Sequence, residues 1–410
     1  MKQLRVSVDE LVPGLYVSEL DRPWTETPFL FQGFMVETEA DIRALREHCE
    51  YVWVDGERSR ELPASTPRPD GSGTGSQQVK DASASDVISL SKRLHQGMRD
   101  GLAARRFAAE CLAQAFERIR RKEGGAMSNR LVQSAARLDG LVASYPEVAH
   151  WLANLQQHED RLLDHSINVS LRALLLAREL ELPPAEVAAV GFGALLHDIG
   201  KLSLSPELLN KPRPLSREEW GQIRRHPLIG SHLLAGGALP DTVQRIVRYH
   251  HERIDGQGFP EGLKGNELEL PIRVVAVANA YDSMTSNRLD RPRLSGYQAV
   301  TTLMRDADNT WGRSLVEAFV RCTGIYPAGT RVRLGSGAEA VVVHTPVTRR
   351  LQPVVCIYRR PDGSSDSRLP LYDLAAVSAN ERQQYIDQVI EPDGGEQELL
   401  QVITREAFAA

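Results

Sequence analysis

The sequence GFGALLHDIGKL at residues 191–202 brings a histidine and an aspartate to the end of an apolar helix. The apolar residues before His197 predict the helix, and Gly200 is a suitable residue to end it. Adjacent His197 and Asp198 at a buried helix end are costly unless they are paired or bind a metal. Imidazole nitrogen suits transition metals, a carboxylate can bridge two cations, and Lys201 supplies a fixed positive charge for a phosphate. The sequence therefore predicts a metal site beside this helix.

Further histidines lie before and after this motif in the sequence. Seven of the 11 histidines lie in less than a quarter of the chain, within a region whose apolar spacing is helical. His226 stands in the sequence RRHP, and His250 and His251 are adjacent in YHHE. Two adjacent histidines point about 100° apart on a helix, so they face one metal only near a helix end, or they face two metals. Isolated histidines such as His158 and His232 are expected to cap helices or to satisfy core hydrogen bonds.

A polar pair interrupts the last apolar helix of this region. Asn279 and Asp282 lie three residues apart in VAVANAYDSM, so they share one helix face. Before that helix, the glycine-rich sequence RIDGQGFP at 253–260 is predicted to end the helix with the adjacent histidines. These polar groups extend the set of candidate metal and substrate ligands.

Together, these motifs resemble the HD-GYP branch of the HD phosphohydrolase superfamily. The matching segments occur in the order and at the spacing of that family over residues 150–322. They are DHSINV at 164–169, HDIGK at 197–201, KPRPLSREEW at 211–220, HPLIG at 226–230, HHERIDGQGFP at 250–260 and PIRVVAVANAYDSMTSNR at 271–288. The segment at 11–34 also resembles an extension commonly found in front of such domains.

The resemblance implies a helical fold with two or three metal ions that hydrolyses the bacterial second messenger cyclic di-GMP. The implied metal-binding positions are His165, His197, Asp198, His226, His250, His251 and Asn279. Asp198 would bridge the metals and act in catalysis with Lys201, which matches the lysine that contacts the scissile phosphate. The implied substrate-binding positions are Gly258, Phe259, Arg288, Arg291 and Lys201.

The expected cofactor is a pair of divalent cations, with Fe or Mn favoured over Zn, Ni, Co or Mg. Two such cations about 3.5–4 Å apart lower the pKa of a bridging water and neutralise charge on a phosphodiester. The expected small-molecule partner is cyclic di-GMP. A diguanylate cyclase or another signalling protein is a candidate protein partner.

Three positions depart from the family pattern. Asn279 replaces a metal-binding aspartate, and even changes outside the ligand set typically cost about 10–100-fold at metal sites. The second metal would then bind weakly or be absent, or Asp282 would compensate. Arg161 lies one helical turn before His165, where family members with three metals have a glutamate, so we expect at most two metals. Phe259 replaces tyrosine, which keeps the stacking surface but removes one hydrogen bond, worth about 0.5–1.5 kcal/mol.

These departures leave more than one functional hypothesis. An active cyclic di-GMP phosphodiesterase is favoured by the six unaltered ligand positions, by Lys201 and by the two arginines. A catalytically weak or inactive domain that senses cyclic di-GMP or binds a signalling protein is favoured by Asn279. An HD phosphohydrolase acting on another nucleotide is a third hypothesis, against which the GQGFP loop and the arginine pair argue.

Local patterns divide the rest of the chain. The alternation of Leu4, Val6 and Val8 predicts a strand, whereas residues 63–85 hold too few apolar groups to offset their ordering entropy. Apolar β-like runs separated by turns predict an antiparallel sheet after residue 324. The predicted fold is mainly α, with small sheets near both ends. Its segments are an α+β module at 1–62, a flexible linker at 63–85, a helical region at 86–149, the catalytic domain at 150–324, a β subdomain at 325–378, and a polar tail at 379–410 with helices on either side of 391–395.

The composition excludes several classes of protein. The 410 residues carry 49 Lys+Arg and 54 Asp+Glu, a net charge of −5, which argues against a generally basic binder of nucleic-acid polymers. Four widely spaced cysteines without a CxxC pair argue against a disulfide framework or a thiolate zinc site. No secretory signal and no apolar run of about 18 residues is visible. We expect a cytoplasmic protein without membrane insertion.

Overall fold

The structure is a computed structural model, and it describes most of the chain. The described residues are 3–22, 34–36, 39–55, 59, 84–123, 128–158, 160–235, 239–287, 292–346, 352–366, 369–374 and 386–408. The predicted mainly helical fold with small antiparallel sheets near the two ends is confirmed. The linker predicted at 63–85 lies outside the described residues as far as residue 83.

The amino-terminal module is a four-stranded antiparallel sheet with one helix. Its elements are β1 (Gln3–Ser7), β2 (Tyr16–Leu20), β3 (Phe34–Met35), α1 (Glu39–His48) and β4 (Tyr51–Asp55), and the strand order is β1-β4-β2-β3. The structure explains the alternation that predicts β1, because Val6 on one face of the strand packs in a small core with Val52 and Val54. Leu45 of α1 closes the same core.

A helical domain follows and holds the largest core of the protein. Its helices are α2 (Ala84–Arg120), α3 (Asn129–Ser144), α4 (Pro146–Leu152), α5 (Arg161–Glu179), α6 (Pro184–Leu196), α7 (Pro206–Leu209), α8 (Arg217–Ile223), α9 (His226–Leu234), α10 (Asp241–Tyr249), α11 (Leu270–Thr285), α12 (Gly296–Arg305), α13 (Ala307–Thr310) and α14 (Arg313–Thr323). Helices α5, α6 and α11 pack against one another at its centre. From 163 to 177, every residue of α5 except His165 is buried.

Glycines let the central helices come close to one another. A Cβ at Gly191 would lie 2.8 Å from Leu174 of α5, and one at Gly193 would lie 2.8 Å from Ile246 of α10. Gly200 was expected to end α6, but that helix already ends at Leu196 and Gly200 lies in the 3-10 turn that follows. The reason for a glycine is steric, because a Cβ there would lie 1.9 Å from the carbonyl oxygen of His226.

A buried arginine ties α2 to the start of α5. Arg105 of α2 is fully buried, and its guanidinium donates to Asp164 at 2.7 Å and to Asn168 at 2.6 Å. It also donates to the carbonyl oxygens of Leu152 and Leu155, at 3.2 Å and 2.7 Å. Its buried ion pair with Asp164 therefore fixes the turn of α5 that carries His165.

Replacing Arg105 with methionine is expected to lower the free energy of unfolding by about 3–5 kcal/mol, because Asp164 would keep a buried charge without its main cationic partner. Urea unfolding measures this loss. Arg178→Met is the control, since it breaks a largely exposed pair with Asp139 and should cost no more than about 1 kcal/mol. Equal losses in the two variants would contradict the prediction.

A five-stranded antiparallel sheet follows the helical domain. It consists of β5 (Arg331–Leu334), β6 (Glu339–His344), β7 (Val354–Arg359), β8 (Leu371–Asp373) and β9 (Ile386–Val389), in the order β8-β7-β6-β5-β9. The last helix is α15 (Glu396–Ile403), and the hydroxyl of Thr404, which follows it, accepts a hydrogen bond from Nε1 of Trp151 in α4 at 2.8 Å.

One of the two helices predicted around residues 391–395 is wrong. A helix does follow 391–395, but the described residues shortly before it, Ile386–Val389, form the edge strand β9. Its sequence is IDQV, in which Asp387 and Gln388 are exposed. A short edge strand with exposed polar residues lacks the apolar pattern that would predict a strand. No helix in the part of the chain that the structure describes is long and apolar enough to cross a membrane.

Candidate metal centre

Six of the predicted ligands converge between the central helices. His165 lies on α5, His197 and Asp198 follow α6, His226 begins α9, and His250 and His251 follow α10. Candidate ligand atoms within 4.8 Å of one another form two groups, which are His165, His197 and Asp198 on one side and Asp198, His226, His250 and His251 on the other. Asp198 belongs to both groups, as a carboxylate that bridges two cations would.

The two carboxylate oxygens of Asp198 face different histidines. Its Oδ2 atom lies 3.3 Å from Nε2 of His165 and 3.4 Å from Nε2 of His197. Its Oδ1 atom lies 3.0 Å from Nε2 of His226 and 3.6 Å from Nε2 of His250. One buried carboxylate thus divides the cluster into two candidate cation positions.

Backbone carbonyl groups set the tautomers of three of these histidines. The Nδ1 atoms of His197, His226 and His250 lie 2.7, 2.7 and 2.9 Å from the carbonyl oxygens of the residues three positions earlier. Each Nδ1–H therefore donates to the backbone, and each Nε2 presents a lone pair to the cluster. This is the form in which imidazole binds a metal.

The lone pairs of His226 and His250 face one another without a proton between them, and the Nε2 atom of His165 lies about as close to that of His197. The Nε2 atoms of His226 and His250 are 3.2 Å apart, and those of His165 and His197 are 3.3 Å apart. In addition, Oδ1 of Asp198 is buried and accepts no hydrogen bond from any described residue. Buried acceptors without donors are costly, so the residues present fit divalent cations.

The electrostatics of the cluster also suit cations. Burial lowers the pKa of His226 and of His250 to about 4 and lowers the pKa of His251 well below its usual value, which keeps these imidazoles neutral. Burial alone would raise the pKa of Asp198, but Lys201 and the neighbouring histidines hold it well below its usual range. These three imidazoles are therefore neutral nitrogen ligands beside one permanent negative charge.

Lys201 and Asp282 support the cluster from two sides. Nζ of Lys201 donates to Oδ2 of Asp198 at 2.5 Å, and a quarter of the lysine side chain stays exposed. Behind His165, Oδ2 of Asp282 accepts from its Nδ1 at 2.6 Å. Burial would lower the pKa of His165, but Asp198 and Asp282 outweigh it and raise the pKa to about 9.

The sequence did not identify the support behind Asp282. Arg172 of α5 donates to Oδ1 of Asp282 at 2.5 Å and to Oδ1 of Asn154 at 3.0 Å. Both Asp282 oxygens thus accept hydrogen bonds and this residue orients His165, while its compensation for Asn279 stays a prediction. A charged residue within the apolar run of α5 was the available signal, because a buried arginine requires a carboxylate partner.

Asn279 lies on α11 one turn before Ser283, and its side chain is buried. Its Oδ1 atom accepts a hydrogen bond from the Ser283 hydroxyl at 3.3 Å. Its role as a metal ligand stays a prediction. Arg161 is exposed at the first position of α5.

The predicted substrate-binding residues have different surroundings. Phe259 stacks on the ring of His251, with centroids 4.5 Å apart and planes 20° apart. Gly258 allows the loop to pass close to its neighbour, because a Cβ there would lie 2.5 Å from the backbone of Glu252 and Arg253. Arg288 and Arg291 lie outside the described residues.

Comparison with known proteins agrees with this geometry. The HD domain family matches residues 146–315, and a domain of unknown function, DUF3391, matches residues 3–135. A cyclic di-GMP phosphodiesterase of Pseudomonas aeruginosa is 31% identical over 372 residues, which cover 90% of this chain and 87% of the relative.

Two further relatives match about three tenths of this chain. A 3′3′-cGAMP-specific phosphodiesterase of Vibrio cholerae is 35% identical over 124 residues, 30% of this chain and 27% of the relative. A cyclic di-GMP phosphodiesterase response regulator of Xanthomonas campestris is 40% identical over 122 residues, 28% of this chain and 31% of the relative.

Proposed function

This chain belongs to the HD-GYP phosphodiesterases of the HD domain superfamily, and we propose that it hydrolyses cyclic di-GMP to linear pGpG or further to GMP. The observation that carries the proposal is the cluster of five histidines around Asp198, whose two oxygens face separate groups of imidazoles. Such a division suits a centre with two divalent cations, for which Fe or Mn is preferred.

The residues of the centre have separate roles in this proposal. His165 and His197 would hold one cation with Asp198, and His226, His250 and His251 would hold the other. When bound, the cations supply positive charge for the phosphodiester and a water molecule of lowered pKa.

Lys201 is suited to hold the substrate phosphate. Its ammonium is partly exposed, lies against Asp198 and is thus within reach of a phosphate beside the carboxylate. Asp282 and Arg172 keep the His165 ring oriented, because the Nδ1–H of a ligating imidazole needs a fixed acceptor. Arg288 and Arg291 stay proposed phosphate contacts.

Turnover by the purified full chain tests this proposal, with Mn²⁺ or anaerobic Fe²⁺ supplied and products separated by chromatography. Cyclic di-GMP and 3′3′-cGAMP are compared because relatives that act on each are similar to this chain. We expect cyclic di-GMP to be hydrolysed with the higher kcat/KM. A preference for 3′3′-cGAMP would overturn the substrate assignment, and turnover of neither would overturn the hydrolase assignment.

Asn279 favours a second candidate function, a domain that binds cyclic di-GMP without turnover. The amide lacks the charge of the family aspartate, which weakens the attraction for a cation. Binding of cyclic di-GMP by a chain that does not hydrolyse it in the presence of either metal would support this candidate.

A further inference from the structure

Arg224 lies beside the metal centre and has no role in the mechanism described above. It follows α8 directly and stands two residues before His226. Its guanidinium carbon lies 4.8 Å from the centroid of the Phe259 ring. Because Phe259 is itself stacked on His251, the phenyl ring connects this guanidinium to a candidate metal ligand.

The guanidinium has no anionic partner among the described residues. Three other arginines near the centre are paired, since Arg213 binds Glu219, Arg248 binds Glu261 and Arg253 binds Asp255. Arg224 is exposed, and its side chain makes no ion pair or hydrogen bond to any residue in the described ranges. Its five N–H donors are thus available to a ligand.

The contact with Phe259 also favours ligand binding by Arg224. A guanidinium that lies on an aromatic face is oriented by that face and loses less freedom when it binds. The planar fork of donors matches the two free oxygens of a phosphodiester. A cyclic dinucleotide has two phosphodiesters, so one remains for recognition when the other lies at the metals.

We propose that Arg224 is a substrate-binding residue that contacts the phosphodiester not being cleaved, with Phe259 as its platform. This inference rests on the proposed function, since it takes a cyclic dinucleotide as the ligand. It gives Phe259 a role that needs the ring but not the hydroxyl of a tyrosine.

The test compares Arg224→Ala with Arg225→Ala, because Arg225 is the adjacent exposed arginine and contacts no ring in the described part of the chain. For Arg224→Ala we expect KM for cyclic di-GMP to rise at least about tenfold, as for loss of hydrogen bonds to a charged group, with kcat changed less. Arg225→Ala should leave KM within about twofold, as an exposed site away from such contacts allows. Arg224→Lys keeps the charge without the planar fork of donors, so its KM should lie between the values for Arg224→Ala and Arg225→Ala.

Two further measurements separate this inference from its alternatives. The metal content of Arg224→Ala should equal that of the native chain, and a loss of metal would assign Arg224 to positioning His251 instead. Calorimetric titration of cyclic di-GMP into metal-free native chain, Arg224→Ala and Arg225→Ala measures binding without turnover.

Each outcome then has one meaning. Native hydrolysis with equal KM and equal binding in the two alanine variants would overturn the role of Arg224 and leave the proposed function intact. No native hydrolysis, but binding that depends on Arg224 and not on Arg225, would overturn the hydrolase and support the role of Arg224. Absence of both native hydrolysis and native binding would overturn both.

Discussion

The double variant His197→Ala/Asp198→Ala is expected to lose hydrolysis of cyclic di-GMP by far more than about 100-fold. Changes to groups that merely support metal ligands already cost about 10–100-fold, and this variant removes the one residue shared by both ligand groups. Metal content, measured by mass spectrometry of the purified chain, should fall to background at the same time. The rate and the metal content are measured on one preparation, so that the two losses can be compared directly.

Lys201→Ala is the control for this experiment. Lys201 contacts Asp198 but is not a candidate metal ligand, so its removal should reduce hydrolysis while the metal content stays near the native value. Circular dichroism during heating shows whether each variant is folded. If the double variant keeps a tenth of native turnover, the assigned cluster is not the catalytic centre.

Asn279→Asp is expected to raise both the metal affinity and the rate of hydrolysis, each by about tenfold or more. Asn279 is only 4% exposed, so a carboxylate there would carry a buried charge that a nearby cation compensates. Whether Asn279→Asp lowers or raises the melting temperature should therefore depend on whether metal is bound. Without metal the variant should melt below the native chain, and saturating Mn²⁺ should raise its melting temperature by more than it raises that of the native chain.

Ser283→Ala is the control for this variant, because it removes the hydrogen bond to Asn279 without adding charge. It should leave metal affinity nearly unchanged. An Asn279→Asp chain with native or lower affinity for Mn²⁺ would show that position 279 does not face a cation. Activity that appears only in Asn279→Asp would identify the native chain as a binding protein derived from an enzyme.

Much of the fold was predictable because local patterns determine it. The apolar run of α6 and the alternation in β1 each have a buried face in the structure. Four of the five carboxyl-terminal strands fall within the segment predicted as a sheet. The fifth, β9, lies outside that segment and was not predicted, because a short edge strand with exposed polar residues has no apolar pattern.

The candidate site was predictable only in part. The six ligands that converge were those marked by motifs, each of which is local in sequence. Their supports are not local, since Asp282 lies 117 positions from His165 and Arg105 lies 59 positions from Asp164. A single sequence holds no signal for which distant charges pair, so these contacts required coordinates.

The position of Arg105 has a consequence for how such proteins can recombine. The HD domain match begins at residue 146, whereas Arg105 lies in the region matched by the separate amino-terminal family. A gene fusion at that border would deliver Asp164 without its arginine, and the new partner would have to provide a replacement. Exchange of the amino-terminal module is therefore expected to preserve α2 and to join new sequence upstream of Ala84.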